Sequence, residues 1–102
     1  MGEFIKVAKT NELVSGSAKT VDIGGTPVAL FNVDGTFYAI HNTCVHRGGP
    51  LSEGSVDDAK QVACPWHGWQ FDVTTGQCVT VPSKRLQTFA VKVEGDDVFI
   101  ST

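Results

Sequence analysis

Two short segments of this chain each pair one thiol with one imidazole: Cys44-Val45-His46 and Cys64-Pro65-Trp66-His67. Seventeen residues separate His46 from Cys64, so the two donor pairs belong to different loops. Two soft sulfur donors and two borderline nitrogen donors suit a transition metal better than a hard cation. Zinc is one occupant such a set admits. Structural zinc sites, however, space their cysteines and histidines as like pairs, whereas here sulfur and nitrogen alternate along the chain. The reading without a metal makes Cys44 and Cys64 buried thiols or a disulfide beside two ordinary loop histidines. Nothing in the sequence points to an oxidising compartment, and reduced thiols are the rule in cytosol.

The pattern Cys44-x-His46 followed by Cys64-Pro65-x-His67-Gly68 resembles the Rieske iron–sulfur family, and the whole short chain is similar to a stand-alone Rieske-type ferredoxin. The likeness runs from about residue 3 to the end, with its specific part at Cys44 to Phe71. In Rieske [2Fe–2S] centres two histidines replace two cysteines on one of the two irons, so a loop carrying one donor of each kind reaches both irons. Carried over residue by residue, the resemblance implies that Cys44 and Cys64 bind one iron and His46 and His67 the other. It places the bonds at Nδ1, with the outer ring edges facing solvent. It also implies one [2Fe–2S] cluster per chain and a third loop, Val81-Pro82-Ser83, covering it.

Other residues of the stretch fit such a centre. Gly48, Gly49 and Gly68 follow the ligand histidines; without Cβ they bring backbone N–H groups close to cluster sulfurs, or simply make turns. Pro50, Leu51, Pro65, Trp66 and Trp69 are expected to wall the site from water. Two departures from the high-potential branch of the family are informative. Where those proteins carry an extra disulfide-bonded cysteine in each loop, this chain has Gly49 and Trp66. Where they carry a serine and a tyrosine whose hydroxyls bond sulfur, it has Trp69 and Phe71. Hydrogen bonds to sulfur stabilise the more negative reduced cluster, so their absence implies a potential near the low end of the Rieske range, about −150 mV. Ligand deprotonation favours the oxidised state, so the potential is expected to be flat near neutrality and to decline in alkali. Cys78 is read as a small buried hydrophobe ahead of a reactive thiol, His41 as a strand-end residue, and Glu53, Asp57 and Asp58 as a solvated loop ahead of negative charge presented near the cluster. Arg47, next to a ligand, suits either partner docking or solvent.

Around this stretch the sequence reads as short strands. Glu3 to Ala8, Ala18 to Ile23, Pro27 to Val33 and Thr36 to Ile40 alternate or run apolar, with Thr10-Asn11-Glu12-Leu13 as a short capped turn. Gly24-Gly25 and Asp34-Gly35 mark tight hairpins. Lys60 to Ala63 is the one strand inside the ligand region. Trp69 to Val73 and Gln77 to Val81 flank Thr74-Thr75-Gly76, and Phe89 to Glu94 and Val98 to Ser101 flank Gly95-Asp96-Asp97, giving two more hairpins. No helical period exceeds two turns. The expected fold is all-β, a Rieske-type antiparallel β-sandwich over 1–102 as one domain, with a small cluster-binding insertion subdomain at about 43–71.

Eight basic and eleven acidic residues give a net charge of −3. The basic residues are scattered, which argues against nucleic acid and anionic membrane as partners. The start Met1-Gly-Glu-Phe-Ile-Lys lacks an apolar h-region, and no run of apolar residues is long enough to span a bilayer. A cytoplasmic, unanchored monomer is expected. Because ligand–metal free energy is also folding free energy, the apoprotein is expected to be loose. The resemblance implies one-electron transfer with no substrate of its own. The chain would accept an electron from a flavin-dependent NAD(P)H reductase and pass it to a terminal oxygenase through a small transient interface at His46 and His67. A small subunit of an assimilatory nitrite reductase is the alternative that shares the fold; a colourless zinc-stabilised interaction module is the alternative without redox chemistry. A complete ring-hydroxylating oxygenase needs a further domain with a 2-His-1-carboxylate iron site, for which 102 residues are expected to leave no room.

Overall fold

Residues 3–42, 51–54, 56–57, 60–65 and 68–101 are described by the computed structural model. Cys44, His46 and His67 lie outside the described residues, as do Arg47, Gly48, Gly49, Pro50, Asp58 and Trp66. Within them the chain forms β1 (Phe4–Lys9), β2 (Ala18–Ile23), β3 (Thr26–Val33), β4 (Thr36–His41), β5 (Gln61–Ala63), β6 (Gln70–Asp72), β7 (Thr88–Phe89), β8 (Val91–Glu94) and β9 (Asp97–Ser101). Two 3₁₀ turns, Thr10–Glu12 and Leu51–Glu53, join them, and the described residues hold no α-helix.

Turn chemistry sets the register. Asp34 and Gly35 take φ of 53° and 87°, and Gly24 and Gly25 take 60° and 90°. Two consecutive left-handed residues give the type I′ turn, whose twist matches that of paired strands. Val33 therefore pairs with Thr36, and Ile23 with Thr26, across two-residue loops. The result is a four-stranded antiparallel sheet in the order β2-β3-β4-β7.

Alternation along β3 then explains the layers. Every residue from Val28 to Val33 is buried, which a strand achieves only when both faces of its sheet are covered. Val28 and Leu30 join a core with Ala8, Leu13, Val98 and Ile100, facing a second sheet ordered β1-β9-β8. Ala29, Phe31 and Val33 lie on the opposite face, in a core with Leu51, Val62, Cys64, Phe71, Val73, Cys78 and Leu86. Val62 and Phe71 bring the two-stranded sheet β5-β6 into that second core. Asn32, the one polar residue of the buried run, is satisfied: its Nδ2 donates to the Leu13 carbonyl at 2.6 Å and its Oδ1 accepts the Gly35 N–H at 2.8 Å.

Two expected hairpins differ. Phe89 to Glu94 is not one strand, because Thr88 and Phe89 pair with β4 while Val91 to Glu94 pair with β9, so the chain changes sheet at Ala90. The arm Gln77 to Val81 pairs with β6 only through the bridge between Phe71 and Cys78. It bends away because Cys78 also donates its N–H to Lys84 O, and Pro82 has no N–H to continue a ladder. The capped turn after β1 is held by Glu12, whose carboxylate accepts the Lys9 N–H.

Candidate metal centre

Cys64 is the expected ligand that the described residues contain, and it sits at the tip of the β5-β6 hairpin. Strand pairing brings Ala63 opposite Gln70. The ladder continues one step further, with the Cys64 N–H donating to Trp69 O at 2.7 Å. Gly68 then donates its N–H to Cys64 O at 3.0 Å, closing the tip. His67 lies in sequence inside this closed tip. Gly68 has φ of 79° and nothing within 4 Å of where a Cβ would stand, so the left-handed backbone is what requires glycine there. Of the two roles considered for this glycine, turn chemistry is the one its N–H performs.

The Cys64 residue is only 2 % exposed and packs among Leu51, Val62, Phe71, Val73 and Cys78. A thiol so placed has no bulk water to compete for it, and a soft sulfur in an apolar setting is a fitting donor for an iron–sulfur group. Cys64 and Cys78 are both free thiols. Among the described residues no three His, Cys, Asp or Glu side chains gather elsewhere as a rival metal site.

The segment that would carry Cys44 and His46 begins and ends at one place. Asn42 accepts the Leu51 N–H on its carbonyl at 2.7 Å and the Ser52 N–H on Oδ1 at 2.8 Å. The 3₁₀ turn that follows packs against β5: a Cβ on Gly54 would stand 2.0 Å from Ala63 O. The base of the first loop thus abuts the strand that delivers Cys64. Sequence reasoning missed Asn42 and Gly54. A polar residue at a strand end is the only local signal for Asn42, because Ser52 lies beyond any local Asx motif.

The surrounding residues divide. Leu51 is fully buried and Trp69 packs partly buried against the same core, while Pro65 is exposed. Cys78 is fully buried as expected, and its Sγ also accepts the Val81 N–H at 3.3 Å. Val81-Pro82-Ser83 forms a turn closed by Lys84 N–H on Val81 O at 2.9 Å, with proline at its favoured second position. The 79–80 segment is tied to the strand leaving the Cys64 tip, through Val79 N–H on Gln70 O at 2.7 Å and Gln70 N–H on Thr80 Oγ1 at 3.0 Å. Asp57 is exposed and caps the bend before β5, its Oδ1 accepting the Gln61 N–H at 3.0 Å. Glu53 is exposed, and His41 ends β4 as expected.

Residues 3–90 match the family model of the Rieske [2Fe-2S] domain. The chain is 40% identical over 90 residues to the 3-phenylpropionate/cinnamic acid dioxygenase ferredoxin subunit of Shigella flexneri serotype 5b, covering 87% of this chain and 84% of that one. It superposes on a chain from the complex of reduced oxygenase and oxidized ferredoxin in carbazole 1,9a-dioxygenase with a TM-score of 0.87 and 34% identity, over 94% of this chain and 99% of that. It superposes with a TM-score of 0.94 on an NADH-dependent nitrite reductase small subunit from Mycobacterium tuberculosis, over 100% of this chain and 96% of that. At 21% identity this last likeness speaks for the fold alone.

Proposed function

This chain belongs to the Rieske [2Fe–2S] domain family, and from that premise we propose that it is the ferredoxin component of a multicomponent dioxygenase system. The observation that carries the proposal is the 40% identity, over 87% of the chain, with a dioxygenase ferredoxin subunit. The protein is an electron carrier rather than a catalytic subunit. Its cofactor is a Rieske [2Fe–2S] cluster, which when bound supplies one reversibly held electron.

The residues that would hold the cluster are Cys44 and Cys64 on one iron and His46 and His67 on the other. The described residues support the assignment in two ways: Cys64 is buried in an apolar core, and the bases of the two ligand loops meet through Gly54 and Ala63. In this reading Leu51 and Phe71, both fully buried, keep water from the inner side of the centre. Residues 1–102 act as one domain, with about 43–71 as its cluster-holding part.

The electron would come from a flavin-dependent NAD(P)H reductase and go to a terminal oxygenase, with the carrier a cytoplasmic monomer. A structural neighbour comes from a ferredoxin–oxygenase complex, which supports the second step. No helix among the described residues is long and apolar enough to cross a membrane. To test the function, the purified protein is mixed with NADH and a catalytic amount of a dioxygenase-system flavin reductase. Bleaching of the visible spectrum with uptake of one electron per chain is expected. A protein that takes no electron, or that co-purifies stoichiometrically with a sirohaem subunit, would contradict it.

A further inference from the structure

A short 3₁₀ turn leaves its first N–H groups without acceptors of its own. At Leu51–Glu53 both are taken by a single distant residue, Asn42, which is 8 % exposed. Its carbonyl accepts from Leu51 at 2.7 Å and its side-chain Oδ1 from Ser52 at 2.8 Å. Asn42 is itself fixed, donating its N–H to Pro27 O at 2.9 Å. Ser52 is fixed from its other side, where its hydroxyl is hydrogen-bonded to the Thr20 hydroxyl on β2. The two ends of segment 43–50 are therefore locked to each other and to the four-stranded sheet. Only Thr43 separates Asn42 from Cys44 in the sequence.

We propose that Asn42 is a positioning residue for the cluster: its paired acceptors, with Ser52 and the Thr20 tether, form a clasp that closes the base of the first ligand loop. The proposal rests on the reading of Cys44 and His46 as ligands. Closing the loop base before the cluster binds removes part of the ordering cost that binding would otherwise meet, and slows the opening by which a bound cluster escapes.

The test follows loss of visible absorption from the holoprotein in excess iron chelator. Asn42→Ala keeps the Leu51 bond but removes the acceptor for Ser52; it should lose its cluster about five-fold faster, the weight of one net hydrogen bond. Asn42→Asp retains an oxygen in that place and should stay within about two-fold of the unsubstituted protein, a rescue that loss of packing alone would not give. An unchanged rate in Asn42→Ala, or equal acceleration in both variants, overturns the proposal. Should Asn42→Ala not accumulate as folded holoprotein, Thr20→Ala, at an exposed position, carries the test: about two-fold faster loss supports the clasp and an unchanged rate overturns it. A natural-sequence protein with no Rieske spectrum would refute the ligand reading instead. The clasp is then judged by amide exchange, with Ser52 N–H protected in the natural sequence and exchanging freely in Asn42→Ala; an unprotected Ser52 N–H overturns it.

Discussion

Gly54 and Ala63 meet backbone to backbone: a Cβ on Gly54 would stand 2.0 Å from Ala63 O, 3.1 Å from its carbonyl carbon and 3.2 Å from Val62 Cγ2. The contact joins the turn that ends the first ligand loop to the strand that leads into Cys64. It therefore fixes how far apart the bases of the two loops stand. Gly54→Ala is expected to push the turn off β5 at a cost of about 1–3 kcal/mol, as overpacking does elsewhere. Denaturant unfolding of the holoprotein measures the cost, and iron content per chain shows whether the loops still meet. A variant as stable and as iron-loaded as the parent would refute the contact.

Gly68 and Gly76 separate conformation from space. Both have φ of 79°, but a Cβ on Gly76 would stand 2.2 Å from Leu86 O, whereas one on Gly68 meets nothing within 4 Å. Gly68→Ala is expected to cost about 1–2 kcal/mol, the strain of a left-handed alanine. Gly76→Ala carries the same strain plus about 1–3 kcal/mol for the clash. Matched thermal melts give the order; equal shifts would contradict it.

Much of this was legible in the residue types. The Asp34-Gly35 hairpin was readable because its turn needs two left-handed residues, and the central place of Pro27 to Val33 because an apolar run needs both faces covered. The thiol–imidazole spacing pointed to the family before any fold. The change of sheet at Ala90 was not readable, since Phe89 to Glu94 continues as one strand-like run and the break is decided by which neighbours pair. The roles of Asn42 and Gly54 were hidden for a related reason: their partners, Ser52 and Ala63, come near only in the folded chain. The expected convergence of Cys44, His46 and His67 falls outside the described residues.

Cys64 and Cys78 offer an internal control, as two buried free thiols of one core cluster. Cys64→Ala is expected to purify without iron. Cys78→Ala should keep the full iron content and lose about 1–2 kcal/mol of stability, from a smaller side chain and an unpartnered Val81 N–H. Iron loss in the Cys78 variant, or retention in the Cys64 variant, would reverse the assignment.

The residue types at Trp69 and Phe71 bear on the electron's energy. Neither carries the hydroxyl that serine or tyrosine would place near sulfur, and Phe71 is fully buried. The reduction potential at neutral pH is therefore expected near the low end of the Rieske range, at about −150 mV. A spectroelectrochemical titration with a clearly positive midpoint would contradict this.

In the proposed reading this chain holds a diiron centre with one sulfur-ligated and one nitrogen-ligated iron. Iron and acid-labile sulfide assayed on freshly purified protein, together with the EPR spectrum after dithionite reduction, test it most directly. About two irons and two sulfides per chain are expected, with the low-average g signal of a Rieske centre. Stoichiometric zinc, or a colourless EPR-silent protein that stays so after iron and sulfide are supplied, would contradict it.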